Sequence, residues 1–209
     1  MKSNFFSSAI MKTSVISKEF RDRYLSDPKN PNVFNGKSVV FEGPEDYHKR
    51  INDKKLKIDE NSILIIRGCG PVGYPGSAEV VNMQPPDRLL KKGIAHLPTL
   101  GDGRQSGTSA SPSILHVSPE SAVGGDLGIV KTGDKMKIDL NKRRVDLLIS
   151  QSEFKKRRKN KKLFKANNQT PWQEIFRNTV SQLEDGACIN SRGTYLDVSN
   201  KKGLPRNSH

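Results

Sequence analysis

The sequence predicts a mixed α/β domain built from short strands and short helices. Short apolar runs rich in β-branched residues alternate with stretches that carry helix-capping signals, and glycine or proline separates most of them. The most apolar run, residues 62–67, contains four consecutive aliphatic residues and is typical of a strand buried on both faces. A chain of 209 residues is long enough to bury a core of its own.

The predicted strands follow one another along most of the chain. An edge strand over residues 9–16 precedes a Pro- and Gly-containing loop over residues 27–36. Strands are then predicted over 37–42, 62–67, 94–100 and 114–117, followed by a meander of 127–131, 135–140 and 145–149.

Capping signals place the helices between and after these strands. Pro44 lies in the first turn of a helix over 44–51, where Glu45 and Asp46 match the positive end of the helix dipole. Further helices are predicted over 77–83 with Ser77 as N-cap, over 87–92, briefly after Ser118-Pro-Glu, from Ser150 or Ser152 to about 163, and over 170–183.

The composition limits the classes of protein to consider. No apolar run is long enough to cross a bilayer, so we expect no membrane association. Two cysteines, Cys69 and Cys188, exclude a disulfide-rich scaffold and cannot hold an iron-sulfur cluster unaided. A reduced, cytoplasmic location is the simpler expectation. Residues 1–18 have lysines and serines without acids, so a mitochondrial location stays open, although they lack arginine.

The net charge of +14 raises the alternative of a nucleic-acid-binding protein. Residues 151–209 contain 13 Lys or Arg against 5 Asp or Glu, and residues 155–162 contain seven basic side chains in eight positions. Only Phe154 and Phe164 flank this run, which is too few aromatic side chains for a base-stacking platform. A solvated basic helix face is the favoured interpretation, and nucleic acid is an unfavoured partner.

Gly68-Cys-Gly-Pro-Val-Gly73 fits the G-x-G-x-x-G pattern of dinucleotide sites. Pro71 and Pro75 remove amide donors where a pyrophosphate would bind, which disfavours that reading. The alternative is a tight loop that brings Glu79 close to a ligand or a hard cation such as magnesium. An acid such as Glu79 is more commonly a surface residue that complements the dipole at a helix start.

The segment Gly101-Asp-Gly-Arg-Gln-Ser-Gly-Thr-Ser-Ala-Ser-Pro112 follows an apolar run and is predicted to be a polar, ligand-binding loop. Its serines have no His or Lys at a spacing that suggests a Ser-His-Asp arrangement. Because an unassisted serine hydroxyl is a very weak base, catalytic use of Ser106 would require nearby cations that favour its alkoxide.

Three ordered motifs give the sequence a family resemblance. Gly70-Pro71 with Gly73-Tyr-Pro-Gly-Ser-Ala-Glu79, then residues 101–108, then His116-Val-Ser-Pro-Glu-Ser-Ala-Val-Gly-Gly125 resemble the dihydroxy-acid and phosphogluconate dehydratase family. The resemblance covers about residues 9–182 and only the C-terminal domain of the family. Residues 105–109 and the ending around Pro205-Arg-Asn are most similar to the sugar-acid (aldonate) dehydratase branch.

The resemblance implies a fold and a reaction. It implies a swivelling β/β/α barrel-like domain over residues 37–150, with an N-terminal edge segment and loop over 1–36 and a helical C-terminal extension over 151–209. The implied hydro-lyase converts a 2,3-dihydroxy acid or sugar acid to a 2-keto-3-deoxy acid. An iron-sulfur cluster would act on the departing C3 hydroxyl, and magnesium would hold the carboxylate and C2 oxygen.

The resemblance also assigns site residues. Ser106 matches the alkoxide that takes the C2 proton, Thr108 and Ser109 match substrate-binding positions, and Glu79 matches a magnesium ligand. Cys69 and Cys188 match no cluster ligand, so we expect an incomplete active site that needs the family's N-terminal domain or homologous subunits, and an isolated chain that is inactive. The alternative is a basic nucleic-acid-binding protein on a decayed enzyme scaffold.

Overall fold

Eight strands and five α-helices lie in the part of the chain that the computed structural model describes, namely residues 1–76, 79, 83–104, 112–162 and 164–189. The strands are β1 (Lys2–Ser3), β2 (Ser8–Met11), β3 (Val33–Glu42), β4 (Ser62–Arg67), β5 (Thr99–Gly101), β6 (Ser113–Ser118), β7 (Lys135–Asp139) and β8 (Arg144–Leu147). The helices are α1 (Lys18–Tyr24), α2 (Pro44–Arg50), α3 (Asp87–Leu90), α4 (Gln151–Lys159) and α5 (Pro171–Thr179).

The strands form one mixed sheet in the order β1-β8-β7-β3-β4-β5-β6-β2. Strands β3, β4, β5 and β6 run parallel to one another, whereas β7 is antiparallel to β3 and β2 is antiparallel to β6. The two ends of the sheet meet at Met1 and Ala9. The Met1 amino group donates to the Ala9 carbonyl at 2.7 Å, and the Ala9 amide donates to the Met1 carbonyl at 3.1 Å. The sheet is therefore a nearly closed barrel, which confirms the predicted mixed α/β, barrel-like fold.

Strand β4 separates two hydrophobic clusters. Ile63 and Ile65 pack in one cluster with side chains from β6, β7, β8 and α4, and Leu64 and Ile66 pack in the other with side chains from α2 and α3. Alternate residues of a strand point to opposite faces, so a strand covered on both faces needs an uninterrupted apolar run. The position of β4 between the two clusters explains why residues 63–66 are all aliphatic.

Tertiary pairing changes the predicted bounds of several strands. The sequence predicts a loop up to residue 36, but β3 already begins at Val33, because residues 33–37 pair with β7. The strand predicted over 94–100 is reduced to Thr99–Gly101, and the edge strand over 9–16 is Ser8–Met11. Such differences reflect contacts with distant segments rather than local propensity.

One local prediction is wrong, and one helix has no counterpart among the predictions. Residues 127–131 are not a strand, because Asp126–Ile129 forms a 3₁₀-helix. Leu127 and Ile129 are both buried, and two apolar residues at this spacing also suit a strand, which explains the wrong prediction. Helix α1 is not predicted at all. It begins at a cap in which the Ser17 Oγ accepts the Phe20 amide at 3.1 Å, and it is held by the buried Phe20 ring, which lies 6.1 Å from the Phe34 ring.

The predicted C-terminal helices are present but shorter. The Ser150 Oγ caps α4 by accepting the Glu153 amide at 3.2 Å, and the Thr170 Oγ1 caps α5 by accepting the Gln173 amide at 3.3 Å. The division of the chain at residues 36 and 150 stays a prediction. Among the described residues, no helix has the length and apolarity needed to cross a membrane.

Candidate active site

The carboxyl ends of β4, β5 and β6 meet at one edge of the sheet. Ile66 pairs with Gly101, and Leu100 pairs with Ile114, so the three parallel strands end close together. The segments that leave these ends carry the three sequence motifs. In both open sheets and barrels of parallel strands, ligands are usually bound at this edge, because the loops that follow the strands converge there.

The Asp102 carboxylate joins these loops to one another. Asp102 is fully buried directly after β5. Its Oδ1 accepts the Cys69 amide at 2.8 Å, and its Oδ2 accepts the Gly68 amide at 3.1 Å, the Ser121 amide at 2.9 Å and the Ser121 hydroxyl at 2.6 Å. All four contacts donate to the carboxylate, so one side chain fixes the start of the loop over residues 68–76, here called the glycine-rich loop, to the loop after β6.

A second buried carboxylate, Glu120, holds the next part of the glycine-rich loop. Its Oε1 accepts the Val72 amide and its Oε2 accepts the Gly73 amide, both at 2.9 Å. Burial raises the pKa of Glu120, although these hydrogen bonds act in the opposite direction. A Cβ added at Gly70 would lie 2.3 Å from Oε2 of Glu120, so the loop needs glycine at that position.

The C-terminal extension packs against the same loop. The Gln182 Nε2 donates to Oε1 of Glu120 at 2.9 Å, and the Gln182 Oε1 accepts the Glu120 amide at 2.9 Å. The Arg177 Nε of α5 donates to the Val72 carbonyl at 2.8 Å. The extension therefore supports the edge of the candidate site.

Glu79, the predicted metal ligand, forms an isolated parallel β-bridge with Arg104 and is exposed. The structure thus brings Glu79 next to the segment that leads into residues 105–111. On the other side of that segment, the His116 amide donates to the Gly103 carbonyl at 2.9 Å. Burial and the nearby Arg104 charge lower the pKa of His116.

Ser106, Thr108 and Ser109 lie outside the described residues, so their assigned roles stay predictions. The helix predicted over 77–83 lies largely outside them too; Glu79 takes part in the β-bridge, and Met83 is described as buried.

The dinucleotide reading of Gly68–Gly73 is not supported by the hydrogen bonds. The amides of Gly68 and Cys69 donate to Asp102, and those of Val72 and Gly73 donate to Glu120. A pyrophosphate site needs such amides directed at the ligand. Here they already bind two carboxylates of the same chain.

The residues present do not fit an iron-sulfur cluster. Cys69 is fully buried, and burial, followed by the charge of Asp102, raises the pKa of its thiol, which disfavours the thiolate that a cluster binds. Cys188 is exposed in the C-terminal extension. In the described ranges, no group of three or more His, Cys, Asp or Glu side chains could hold a metal ion. Glu79 fits as a single ligand of magnesium, because its carboxylate is an oxygen donor of the kind that this ion prefers.

Part of the basic run over residues 155–162 forms ion pairs within the protein. The Arg157 Nη2 donates to Asp134 at 2.9 Å and its Nε donates to Glu153 at 2.7 Å, whereas Arg158 and Lys161 both pair with Asp126 at 2.7 Å. These contacts fasten α4 to the barrel. The nucleic-acid alternative gains no support from them.

Asp102 and Glu120 are the site residues that sequence reasoning missed. Both lie inside motifs that the sequence singles out, and Asp102 comes two residues after the predicted strand that ends at residue 100. An acid at the end of a buried strand is a sequence signal that indicates a site residue. The groups that donate to Asp102 and Glu120, however, lie 19 to 48 positions away along the chain, so local sequence does not reveal them.

Comparison with known proteins shows which sequences this chain is similar to. A family model described as "Dihydroxy-acid/6-phosphogluconate dehydratase C-terminal" matches residues 1–187. The chain is 56% identical to D-xylonate dehydratase of Caulobacter vibrioides over 209 residues, which is 100% of this chain and 35% of that protein. It is 50% identical over 125 residues to L-arabinonate dehydratase of Rhizobium leguminosarum bv. trifolii, covering 60% of this chain and 22% of that protein.

A relative from the branch named for dihydroxy acids is more distant. Dihydroxy-acid dehydratase of Thermodesulfovibrio yellowstonii is 40% identical over 157 residues, covering 75% of this chain and 28% of that protein. The chain thus spans about a third or less of the length of these relatives. The matched family model and the three relatives identify the chain as a member of the dihydroxy-acid/6-phosphogluconate dehydratase family, to whose C-terminal domain it corresponds.

Proposed function

We propose that the chain supplies the C-terminal part of the active site of a sugar-acid dehydratase. This hydro-lyase converts a 2,3-dihydroxy acid or sugar acid to a 2-keto-3-deoxy acid. The sugar-acid branch is favoured because the relatives at 56% and 50% identity are named for D-xylonate and L-arabinonate. A cytoplasmic location is part of the proposal.

One observation carries the proposal. The β-bridge between Glu79 and Arg104 joins the loop of the proposed metal ligand to the loop of the proposed base, two residues before Ser106. Two loops that leave adjacent parallel strands can act on one substrate only if they approach each other. This bridge provides that approach.

The proposed roles follow the chemistry of dehydration. Ser106, as an alkoxide, takes the proton from C2 of the substrate, and Thr108 and Ser109 bind the substrate beside it. Glu79 is proposed to hold magnesium, which when bound would supply positive charge to stabilise negative charge on the substrate oxygens and on the serine. As the hydroxyl leaves C3, the electron pair of the C2–H bond forms the C2–C3 double bond, and the resulting enol becomes the 2-keto product.

Departure of the C3 hydroxyl requires an acid or electrophile that the described residues do not supply. The family's N-terminal domain, or a homologous subunit, is the proposed source of this group and of the remaining metal ligands. The iron-sulfur cluster implied by the resemblance would belong to that portion. The isolated chain is therefore proposed to be inactive.

A chimeric enzyme tests the proposal. Residues 1–209 replace the matching 35% of the Caulobacter D-xylonate dehydratase, and formation of the 2-keto-3-deoxy acid from D-xylonate is measured. The folded chimera is expected to turn over D-xylonate. Ser106→Ala is expected to lower kcat at least about 100-fold, because a positioned base contributes that much.

Ser111→Ala, in a serine of the same loop without a proposed role, is the matched control and is expected to keep kcat. A chimera that shows a cooperative melting transition but no turnover would overturn the proposed function. Equal activity of the Ser106→Ala and Ser111→Ala chimeras would overturn the assignment of the base.

A further inference from the structure

We propose that Asp102 is a positioning residue, whose buried carboxylate holds the loop that leads to Glu79 and the loop that carries Ser106 in fixed relation. The functional meaning of these two loops rests on the proposed function. The anchoring itself is a property of the chain alone and can be measured without any reaction.

The position of Asp102 in the fold is the first support. It is the first residue after β5, which lies between β4 and β6 in the sheet. From there its Oδ1 reaches the loop after β4, at the Cys69 amide, and its Oδ2 reaches both that loop, at the Gly68 amide, and the loop after β6, at Ser121. A single side chain just beyond the middle one of these three strands thus connects the loops that converge at the candidate site.

The chemistry of its partners is the second support. Three backbone amides and one hydroxyl donate to the carboxylate at 2.6–3.1 Å. Asp102 is fully buried, so these donors replace the water that would otherwise solvate its carboxylate. A buried carboxylate is costly unless such donors surround it, which makes the site specific for a carboxylate rather than an amide.

Glu120 extends the same arrangement. With Asp102, it binds the amides of Gly68, Cys69, Val72 and Gly73 in the glycine-rich loop. These four hydrogen bonds act together with the burial of the Cys69 side chain to hold the loop in place. Loss of Asp102 would remove an acceptor of the Cys69 amide and one of two acceptors of the Gly68 amide, which also donates to the Ser121 Oγ at 2.9 Å. Glu120 and Gln182 would still hold the later part of the loop.

The connection to the reacting loop is direct in sequence. Asp102 lies two residues before Arg104, which pairs with Glu79, and four residues before Ser106. Movement of Asp102 would therefore change the spacing between the proposed ligand and the proposed base. Displacements of about 1 Å in an active site can lower a rate about 100-fold.

Hydrogen-deuterium exchange of the full 209-residue chain tests the anchor. Asp102→Asn keeps the shape but presents an NH₂ group to at least one donor. Exchange in a peptide covering residues 67–73 is expected to become at least about tenfold faster, since loss of a hydrogen bond to a charged group costs about 1.5–3 kcal/mol. Exchange in β7 and β8 is expected to stay as in the unmodified chain.

Asp139→Asn is the matched control, because Asp139 is also buried and accepts an amide, from Lys142 at 2.9 Å. Asp139 is the last residue of β7 and pairs with Val33 at the amino end of β3, so it lies at the opposite edge of the sheet. It is expected to leave the exchange of residues 67–73 unchanged. The anchoring role of Asp102 would be overturned if Asp102→Asn left the exchange rate of residues 67–73 unchanged. It would also be overturned if the variant accelerated exchange equally in residues 67–73 and in β7 and β8.

Kinetics of the chimera separate the anchor from the proposed function. Asp102→Asn is expected to lower kcat about 100-fold with less than about a threefold change in KM for D-xylonate, since it moves reacting groups without contacting the substrate. An unchanged kcat would overturn the positioning role. A chimera inactive even with Asp102 intact would overturn the proposed function, while the exchange result would still decide the anchor.

Discussion

Glu79 and Arg104 pair in a parallel β-bridge beyond the ends of β4 and β5. The bridge lies beyond the last pair of these strands, Ile66 with Gly101, although Glu79 is 13 positions after Ile66 and Arg104 only three after Gly101. Because the glycine-rich loop returns the chain to the edge of the sheet, a carboxylate from one motif comes beside the segment that leads into another.

Replacing Gly70 by alanine is expected to destabilise the protein by about 1–3 kcal/mol, the usual range for overpacking. The added Cβ would lie 2.3 Å from the Glu120 Oε2 and 2.7 Å from the Glu120 Cβ, so rotation of the carboxyl group cannot relieve the clash. Gly128→Ala is the control, because its nearest neighbour would be 3.8 Å away, and it is expected to change stability by less than about 0.5 kcal/mol. Urea denaturation of both variants measures the difference, and equal midpoints would contradict the contact between Gly70 and Glu120.

Arg157→Ala is expected to destabilise the protein by about 3 kcal/mol, because it leaves the Asp134 carboxylate buried without its cation. The side chains of Arg157 and Asp134 are each only 10% exposed. Lys155→Ala, in an exposed residue of the same helix, is expected to change stability by less than about 0.5 kcal/mol. If thermal melts showed the same loss for both variants, α4 would not be fastened through Arg157.

His116 is expected to make stability depend on pH. Its folded-state pKa lies below the ordinary value of 6.5, so the unfolded chain binds a proton more readily. Stability is therefore lost as the pH falls below about 6.5, and His116→Asn is expected to reduce that loss. Asparagine suits the backbone at this position, where φ is 58°.

The measurement is urea denaturation of both proteins between about pH 5 and about pH 8. His48→Asn, in an exposed histidine of α2, controls for the loss of a histidine elsewhere on the chain. A His116→Asn variant with the same slope of stability against pH as the unmodified chain would show that burial of His116 does not oppose its protonation.

The sequence predicts the central parts of this fold well and its edges poorly. The run at β4 and the proline-led start of α2 are confirmed, because the first is fixed by burial and the second by capping. The start of β3 and the length of β5 depend on neighbouring strands, and α1 depends on Phe20 packing against Phe34. These contacts join distant segments, so local patterns do not contain them.

The candidate site shows the same division. The motifs locate the three loops, and the resemblance assigns Glu79 and Ser106 to them. The sequence does not indicate that Asp102 and Glu120 bind the amides of the glycine-rich loop, because those donors are backbone groups, which every residue other than proline carries. Such contacts become visible only when the fold brings the loops together.

The division of roles between Glu79 and Ser106 is the central claim, and the magnesium dependence of the chimera tests it most directly. Initial rates with D-xylonate are measured against Mg²⁺ concentration for Glu79→Gln, Ser106→Ala and Glu45→Gln, the last being an exposed acid after β3 at the same edge. Glu79→Gln is expected to raise the half-saturating Mg²⁺ concentration at least about tenfold. Loss of a residue that only orients a metal ligand already weakens metal binding about tenfold or more, and loss of the ligand itself should cost at least as much. Ser106→Ala is expected to lower kcat without that shift, and Glu45→Gln to change neither. Equal Mg²⁺ dependence for Glu79→Gln and Glu45→Gln would contradict the claim.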